Sequence, residues 1–199
     1  MGIIPSMVAL MEKRAAANPI WVSLYSQRYH KVIDKEIKLA RINSGSHVLN
    51  IGCGGIPYTA IMIARYTGAK VWAIDRDEKA IKAARRCIAS LQMENQVEVA
   101  ECDGTGFFPF EFDVAIVALQ SEPKEKILSN LMERGAPGAR LVFRRPRPEV
   151  ATQYDILPEN PLPLRQTSQN KATFDSSVLY KKEENKRPEE KFYKAALGF

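Results

Sequence analysis

The sequence predicts an α/β fold built on a mostly parallel sheet. Three observations carry that prediction. Short apolar segments alternate with helical ones between His47 and Arg144. A glycine-rich turn, Gly52-Cys53-Gly54-Gly55, falls directly between the first apolar segment and the helix that follows it. Residues 112–119 are apolar throughout except for Asp113, as a strand covered on both faces requires.

The elements follow in order. Residues 6–17 and 19–42 read as helices, the second with Ile20, Leu24, Val32, Ile33, Ile37 and Leu39 at near-helical spacing. Asn18-Pro19 fits an N-cap followed by proline in the first helical position. Asn43-Ser44-Gly45-Ser46 ends that helix, and residues 47–51 form the first strand. A helix over 57–67, a strand over 70–75 and a helix over 77–91 come next, the last with an apolar stripe of Ala80, Ile81, Ala84, Ile88 and Leu91. Strands are expected at 97–102, 112–119 and 139–144. A helix at 122–134 carries Ser121 as its cap and Pro123 in its first turn. Residues 145–163 are proline-rich and read as a loop around the domain; 164–168 and 176–181 read as two closing strands. Beyond Lys182 the chain is rich in Lys and Glu and reads as a loose tail or short surface helix. The expected organisation is a helical N-terminal extension (1–42), a ligand-binding α/β domain (43–182) and a charged C-terminal tail (183–199).

Composition narrows the function classes. At 199 residues, 45% hydrophobic and 26% charged, the chain is an ordinary globular domain with material for a real core. The net charge of +6 is read as a solvated surface, since no long basic run exists and the densest cluster is Arg140, Arg144, Arg145 and Arg147. Three cysteines without a CxxC pair argue against a disulfide framework or a zinc site, and no metal is expected. A proline-broken N-terminus with no basic region before it reads as neither a signal peptide nor a membrane span, so the expected location is cytoplasmic.

The candidate site begins at the glycine turn. In an open parallel sheet the ligand crevice lies at the carboxyl ends of the strands, where glycine allows a tight turn and close approach of a ligand. Gly52 and Gly54 hold the first two positions of a dinucleotide-type turn, but Pro57 stands where the third glycine would be. Asp75 ends the second strand about 20 residues on, suited to accept hydrogen bonds from two ribose hydroxyls. Asp103, in Glu101-Cys102-Asp103-Gly104, follows the third strand and suits the exocyclic amine of an adenine. Each of these residues also serves ordinary structure, Asp75 as a helix cap and Asp103 as a turn former; in this order, at three successive strand ends, they match an adenosine moiety.

Val48-Leu49-Asn50-Ile51-Gly52-Cys53-Gly54 resembles the first motif of class I methyltransferases that use S-adenosylmethionine (SAM). Asp75 and Asp103 match that superfamily's ribose-side and adenine-side acids, and residues 136–141 resemble its turn before strand five. The resemblance covers roughly 38–181. It implies a Rossmann-like, seven-stranded sheet with an antiparallel last strand, SAM as cofactor, and Asn50, Gly52, Cys53, Gly54, Gly55, Asp75, Arg76, Asp103, Gly104 and Leu119 around it. Within the superfamily, residues 29–41, 54–61, 117–124 and 176–179 resemble nicotianamine synthases, in which SAM donates its aminocarboxypropyl chain. Tyr29 matches that family's tyrosine near the reacting centre. The chain departs from it in three respects: a short N-terminal segment, Glu12 as the only acid before Asp34, and Asn50 where an acid is usual.

The resemblance implies a transferase in which Tyr29 and Glu122 are the catalytic candidates, with Gln120, Ser121, Tyr25 and His30 on the substrate side. Packing roles compete for Tyr25, Tyr29 and His30, and Glu122 also suits a helix start. Three readings stand: a small-molecule methyltransferase, an aminocarboxypropyl transferase, and a non-catalytic SAM-binding partner subunit. A nicotinamide-dependent dehydrogenase is poorly served by Pro57 and Asp103. No Asn-Pro-Pro-Tyr type motif follows strand four, which argues against base methylation and for a small-molecule acceptor rather than nucleic acid. No membrane partner is expected, and a homodimer is compatible with this reading.

Overall fold

The computed structural model describes residues 19–184. The helix expected at 6–17, the Asn18 cap and the tail beyond Glu184 lie outside those residues. A seven-stranded sheet is formed by β1 (His47–Ile51), β2 (Lys70–Asp75), β3 (Val97–Glu101), β4 (Val114–Val117), β5 (Arg140–Pro146), β6 (Arg165–Ser168) and β7 (Phe174–Lys181). Its order is β3-β2-β1-β4-β5-β7-β6. The first five strands are mutually parallel, and β7 runs antiparallel to both of its neighbours. This is the expected mostly parallel sheet with an antiparallel last strand.

The sheet is covered on both faces, which is why β1 and β4 are apolar on alternate residues of either side. Helices α1 (Pro19–Ala40), α2 (Tyr58–Thr67) and α3 (Glu78–Ser90) share one core with Val48, Val71, Ala73, Ile116 and Val142. The other face packs Leu49, Ile51, Ala115, Val117 and Leu141 under α4 (Lys124–Arg134) and under Phe108 and Phe112 of the loop after β3. Phe110 of that loop stacks on Trp72 at 5.4 Å.

Element ends differ from the sequence reading where polar side chains intervene. The fourth strand is shorter than 112–119. It begins at Val114: the backbone of Asp113 still bonds His47 and Arg140 on either side, while its carboxylate accepts the N–H of His47 and pairs with Arg140. Past Val117 the chain bends at once, with the N–H of Ser121 donating to the carbonyl of Ala118. The fifth strand is longer than expected and runs to Pro146, because β7 pairs with it as far as Phe174 across a register irregularity. Helix α4 starts at Lys124, since Pro123 is extended at φ −80°, ψ 128° and caps without a side-chain bond. Ser121 is therefore not its cap. The cap of α3 is Asp77, whose carboxylate accepts from Lys79 and Ala80. The proline-rich segment contains a 3-10 turn, Pro148–Gln153.

Helix α1 is joined to the sheet by a buried ion pair. Glu36 is fully buried and Arg144 of β5 nearly so. The Nε and Nη2 groups of Arg144 each donate to one oxygen of Glu36 at 2.9 Å, a parallel two-bond fork. The Ser177 hydroxyl donates to the same carboxylate at 2.8 Å, Arg144 Nη2 also reaches Thr59 Oγ1 at 3.0 Å, and Gln169 donates to Ser177. Two charges removed from water are tolerated here because their remaining bonding capacity is met by α2 and β7. Glu36→Ala leaves the guanidinium buried without its partner and should cost about 3–5 kcal/mol in urea denaturation. Glu36→Ala/Arg144→Met, which removes both charges, should recover most of that loss.

Candidate functional site

β1 lies between β2 and β4, and the order of strands reverses at the β1/β4 boundary. That reversal opens a crevice at the carboxyl ends of the strands, where ligands of open α/β sheets bind. The glycine turn leaves β1 into this crevice. Gly52 and Gly54 adopt φ of 74° and 67°, a conformation that side chains resist. The N–H groups of Gly52 and Cys53 donate to the carbonyl of Ile74, and that of Gly54 donates to Asp75 Oδ2 at 2.9 Å. The turn is thus fastened to the tip of β2. The space over Gly52 is filled by protein: a Cβ there would stand 2.3 Å from Ser121 Oγ and 3.2 Å from the Ala118 Cβ. Close packing against the loop after β4 demands this glycine. Cys53 and Gly55 are buried under the turn, and Cys53, Cys87 and Cys102 form no disulfide.

The two acids stand at neighbouring tips. Asp75 is half-buried, its Oδ1 accepting from the N–H of Asp77 and its Oδ2 from Gly54. Asp103 is exposed and accepts both the N–H and the hydroxyl of Thr105 at 2.8 Å. The Thr105 N–H holds its carboxyl below the usual carboxylate range against the opposing effect of burial, with the Thr105 hydroxyl and Arg76 adding to the effect. Gly104 is buried against Ile51 and Ile127, and Asn130 of α4 donates to the carbonyls of Gly104 and Gly106, both at 2.9 Å. Below the turn, Asn50 is 2% exposed; its Nδ2 donates to Ile116, while its Oδ1 has no partner. A buried acceptor without a protein donor calls for another partner, such as a water or a ligand group.

The catalytic candidates separate. Glu122 sits on the loop after β4, with Arg76 Nη2 reaching its carboxylate and Nη1 its carbonyl, both at 3.4 Å. These residues, with Pro123, Thr152, Gln153, Tyr154 and Asp155, line an open cleft of about 680 Å³. Tyr29 lies on the α1 side. Its ring is 6.0 Å from that of Tyr58 and 6.0 Å from the Arg144 guanidinium, and the ammonium of Lys171 stands 4.5 Å above it. Tyr154 connects the two regions: burial pushes its phenol up, the nearby Tyr29 adds to this, and a hydrogen bond with Thr173 opposes it. Gln120 and Ser121 lie part-buried at the loop after β4. His30 is exposed and packs edge-on to Tyr66. The Tyr25 side chain falls outside the described ones.

Lys124 was missed by sequence reasoning. It is fully buried, with Nζ donating to the carbonyls of Leu119 at 2.8 Å and Asp155 at 2.7 Å. Its own N–H donates to the Asp155 carboxylate. One side chain thus fastens the loop after β4 to the far wall of the cleft. A lysine at a helix start carries no sequence signal for this role, because its partners are two carbonyls. Burial lowers its pKa to about 8, with Asp155 and Glu122 opposing. The native state therefore sheds this proton before the unfolded chain does. Stability should rise relative to Lys124→Met as pH increases from about 8 to about 10.5, and the difference should be flat below pH 7; paired chemical denaturations across that range check the sign. Gly52→Ala should cost about 2 kcal/mol or more, and Gly52→Ala/Ser121→Ala should recover only the steric part and not the φ penalty, as a double-mutant cycle of denaturation midpoints would measure.

Comparison with known proteins places this geometry in context. The sequence family described as "Methyltransferase domain" matches residues 42–195. The chain is 31% identical over 120 residues to the L-histidine 2-aminobutanoyltransferase of Yersinia pestis, covering 60% of this chain and 45% of the relative. It is 24% identical over 148 residues to the trans-aconitate 2-methyltransferase of Azoarcus sp. (strain BH72), covering 69% of this chain and 56% of the relative. It thus spans about half the length of the curated relatives it matches. Among solved structures it is similar in fold to MtNAS in complex with MTA and tNA, with a TM-score of 0.76, 22% identity, and coverage of 88% of this chain and 70% of that one. The fold and the family match over residues 42–195 together lead to one conclusion: the chain belongs to the methyltransferase domain family.

Proposed function

We propose that this chain binds SAM across the tips of β1, β2 and β3 and transfers a group from it to a small-molecule acceptor, with methyl transfer as the first reading. The observation that carries the proposal is the fastening of the glycine turn to Asp75, which sets a carboxylate and a bent backbone around one crevice. Each Asp75 oxygen has one hydrogen bond from protein and retains a lone pair for a ribose hydroxyl. Asp103, kept ionised by Thr105, suits an adenine amine. The unpartnered Oδ1 of Asn50 fits a donor on the ligand such as its ammonium. The residues present therefore fit the cofactor. A neighbour in fold supports it: a mutant of MtNAS has been solved in complex with S-adenosylmethionine.

Bound SAM supplies an electrophilic carbon beside a sulfonium. The protein's share is then placement, with a base only where the acceptor must lose a proton. Lys124 fixes the loop after β4 relative to Asp155, so the two walls of the cleft keep a set spacing for the acceptor. Tyr154 lines that cleft beside Asp155. Glu122, already engaged by Arg76, is available as a base only if that pair opens.

A second reading has a specific observation behind it. The Yersinia pestis relative is an L-histidine 2-aminobutanoyltransferase; transfer of a four-carbon amino-acid chain from SAM by this protein would form the new bond at a different carbon of the sulfonium than methyl transfer does. Incubation of the protein with SAM and a pool of small metabolites, followed by mass analysis of the nucleoside product, separates the two. S-adenosylhomocysteine marks methyl transfer, and methylthioadenosine marks aminocarboxypropyl transfer. Neither product, with SAM bound by calorimetry, leaves the binding-only partner subunit. Asp75→Ala should weaken SAM binding by about 3 kcal/mol, the loss of two hydrogen bonds to a charged group; an unchanged calorimetric affinity removes Asp75 from the site.

A further inference from the structure

The two faces of the sheet are covered unequally. Among the described residues, α1, α2 and α3 pack on one face and α4 on the other. On the α4 side the crossover from β3 to β4 is a loop, residues 102–113, where a helix would cover more. Its phenylalanines do the covering. Phe108 and Phe112 are buried and Phe110 is half-buried, while Phe107, next in the chain to Phe108, is 71% exposed. A row of rings results, with Phe108 6.5 Å from Phe110, Phe110 5.4 Å from Trp72, and His47 5.7 Å from Trp72. The Arg134 guanidinium stands 5.0 Å over the Phe107 ring. Two exposed carboxylates flank the row: Glu98, which accepts from Trp72 Nε1 at 3.3 Å, and Glu111, next to Phe110. A half-covered aromatic row with a charged border has the form of a docking surface.

The end of the described chain comes to the same place. Lys182 Nζ donates to the carbonyls of Glu133 and Gly135 at the C-terminal end of α4, at 2.7 and 2.8 Å. Glu184, the last described residue, lies against Gly138, where an added Cβ would stand 3.2 Å from its Cγ. Gly138 is four residues from Arg134, a span of at most about 14 Å. The sequence continues past Glu184 with seven polar or proline residues, 185–191. Phe192, Tyr193, Ala196, Leu197 and Phe199 then recur at the spacing of one helical stripe. The stretch from Glu184 to Phe192 can span up to about 26 Å, enough to pass Arg134 and reach Phe107. Lys191 and Lys194 are the only charged side chains in 191–199, opposite in sign to Glu98 and Glu111. We propose that residues 191–199 dock on the Phe107–Phe110–Trp72 row of their own chain and close the face that the β3–β4 loop leaves half-covered. A segment on so short a tether meets its own row at an effective concentration of about a millimolar, above that of a second copy in dilute solution.

The test is hydrogen exchange on the full chain, read over 104–112 and 191–199. Amides of 192–199 should exchange at least about tenfold more slowly than in a synthetic peptide of residues 191–199. Leu197→Asp, which alters no described residue, should bring them to within about twofold of the free peptide and speed exchange in 104–112 by about threefold. Phe107→Asp should release 191–199 to the same degree. The Phe107 ring is mostly exposed, so its loss leaves the sheet in place, and unchanged exchange in β1 and β4 checks this. Lys191→Glu/Lys194→Glu should lower the protection by about threefold at about 20 mM NaCl and by less at about 500 mM, as screened charges require. Exchange of 192–199 at the peptide rate in the unaltered chain overturns the proposal. So does protection that survives Phe107→Asp, which places the segment elsewhere. Protection that falls on dilution from about 100 to about 1 μM also overturns it, because the occupant is then a second copy.

Discussion

The site depends on where one strand sits. β1 is central in the sheet, so the chain leaving it must turn between the tips of β2 and β4 with little room on either side. Gly52 absorbs the closeness of Ser121 and Ala118. Gly54 donates to Asp75 and so fastens the turn to the adjacent tip. An acid that would grip a sugar also stabilises the loop meant to cradle the rest of the molecule. Under the proposed reading, binding and folding would draw on the same carboxylate.

Three arginines of the basic cluster, Arg140, Arg144 and Arg147, are turned inward or tied down. Arg144 lies in the fork with Glu36, Arg140 pairs with Asp113 and reaches the carbonyls of Ala40 and Arg41, and Arg147 donates to the carbonyl of Lys171. The arginine cluster that stands out in the sequence is largely a set of internal fasteners between α1, β5 and the segment before β7. A net charge of +6 thus gives weak grounds for a polyanionic partner. Among the described residues no helix is long and apolar enough to cross a membrane.

The sheet and its crossover helices were legible because burial on both faces leaves an unmistakable apolar run, as in Val114–Val117, and because glycine and proline mark the breaks. Asp75, Asp103 and the glycines could be found for the same reason: each is a short-range signal at a strand end. Element ends were misplaced where a distant side chain decided them. Asp113, just before β4, has its carboxylate engaged by His47 and Arg140, and nothing within ten residues announces it. Glu36 with Arg144 and Lys124 with Asp155 were hidden for a related reason. Their partners are 108 and 31 residues away, and pattern along a chain carries no information about such distances. Ser121 was read as a cap from its spacing; Pro123 held the backbone extended, and the hydroxyl turned to the Ile51 carbonyl instead.

One edge of the sheet has a further implication. β6 consists of Arg165, Gln166, Thr167 and Ser168, four polar residues, three of them exposed, in a strand with a neighbour on one side only. Unpaired strand backbone invites another chain to add to it, and natural proteins resist this with short, charged or polar borders. A four-residue border of this composition gives an incoming strand few ladder bonds and no apolar stripe to bury. Growth of the sheet at this edge is thereby disfavoured.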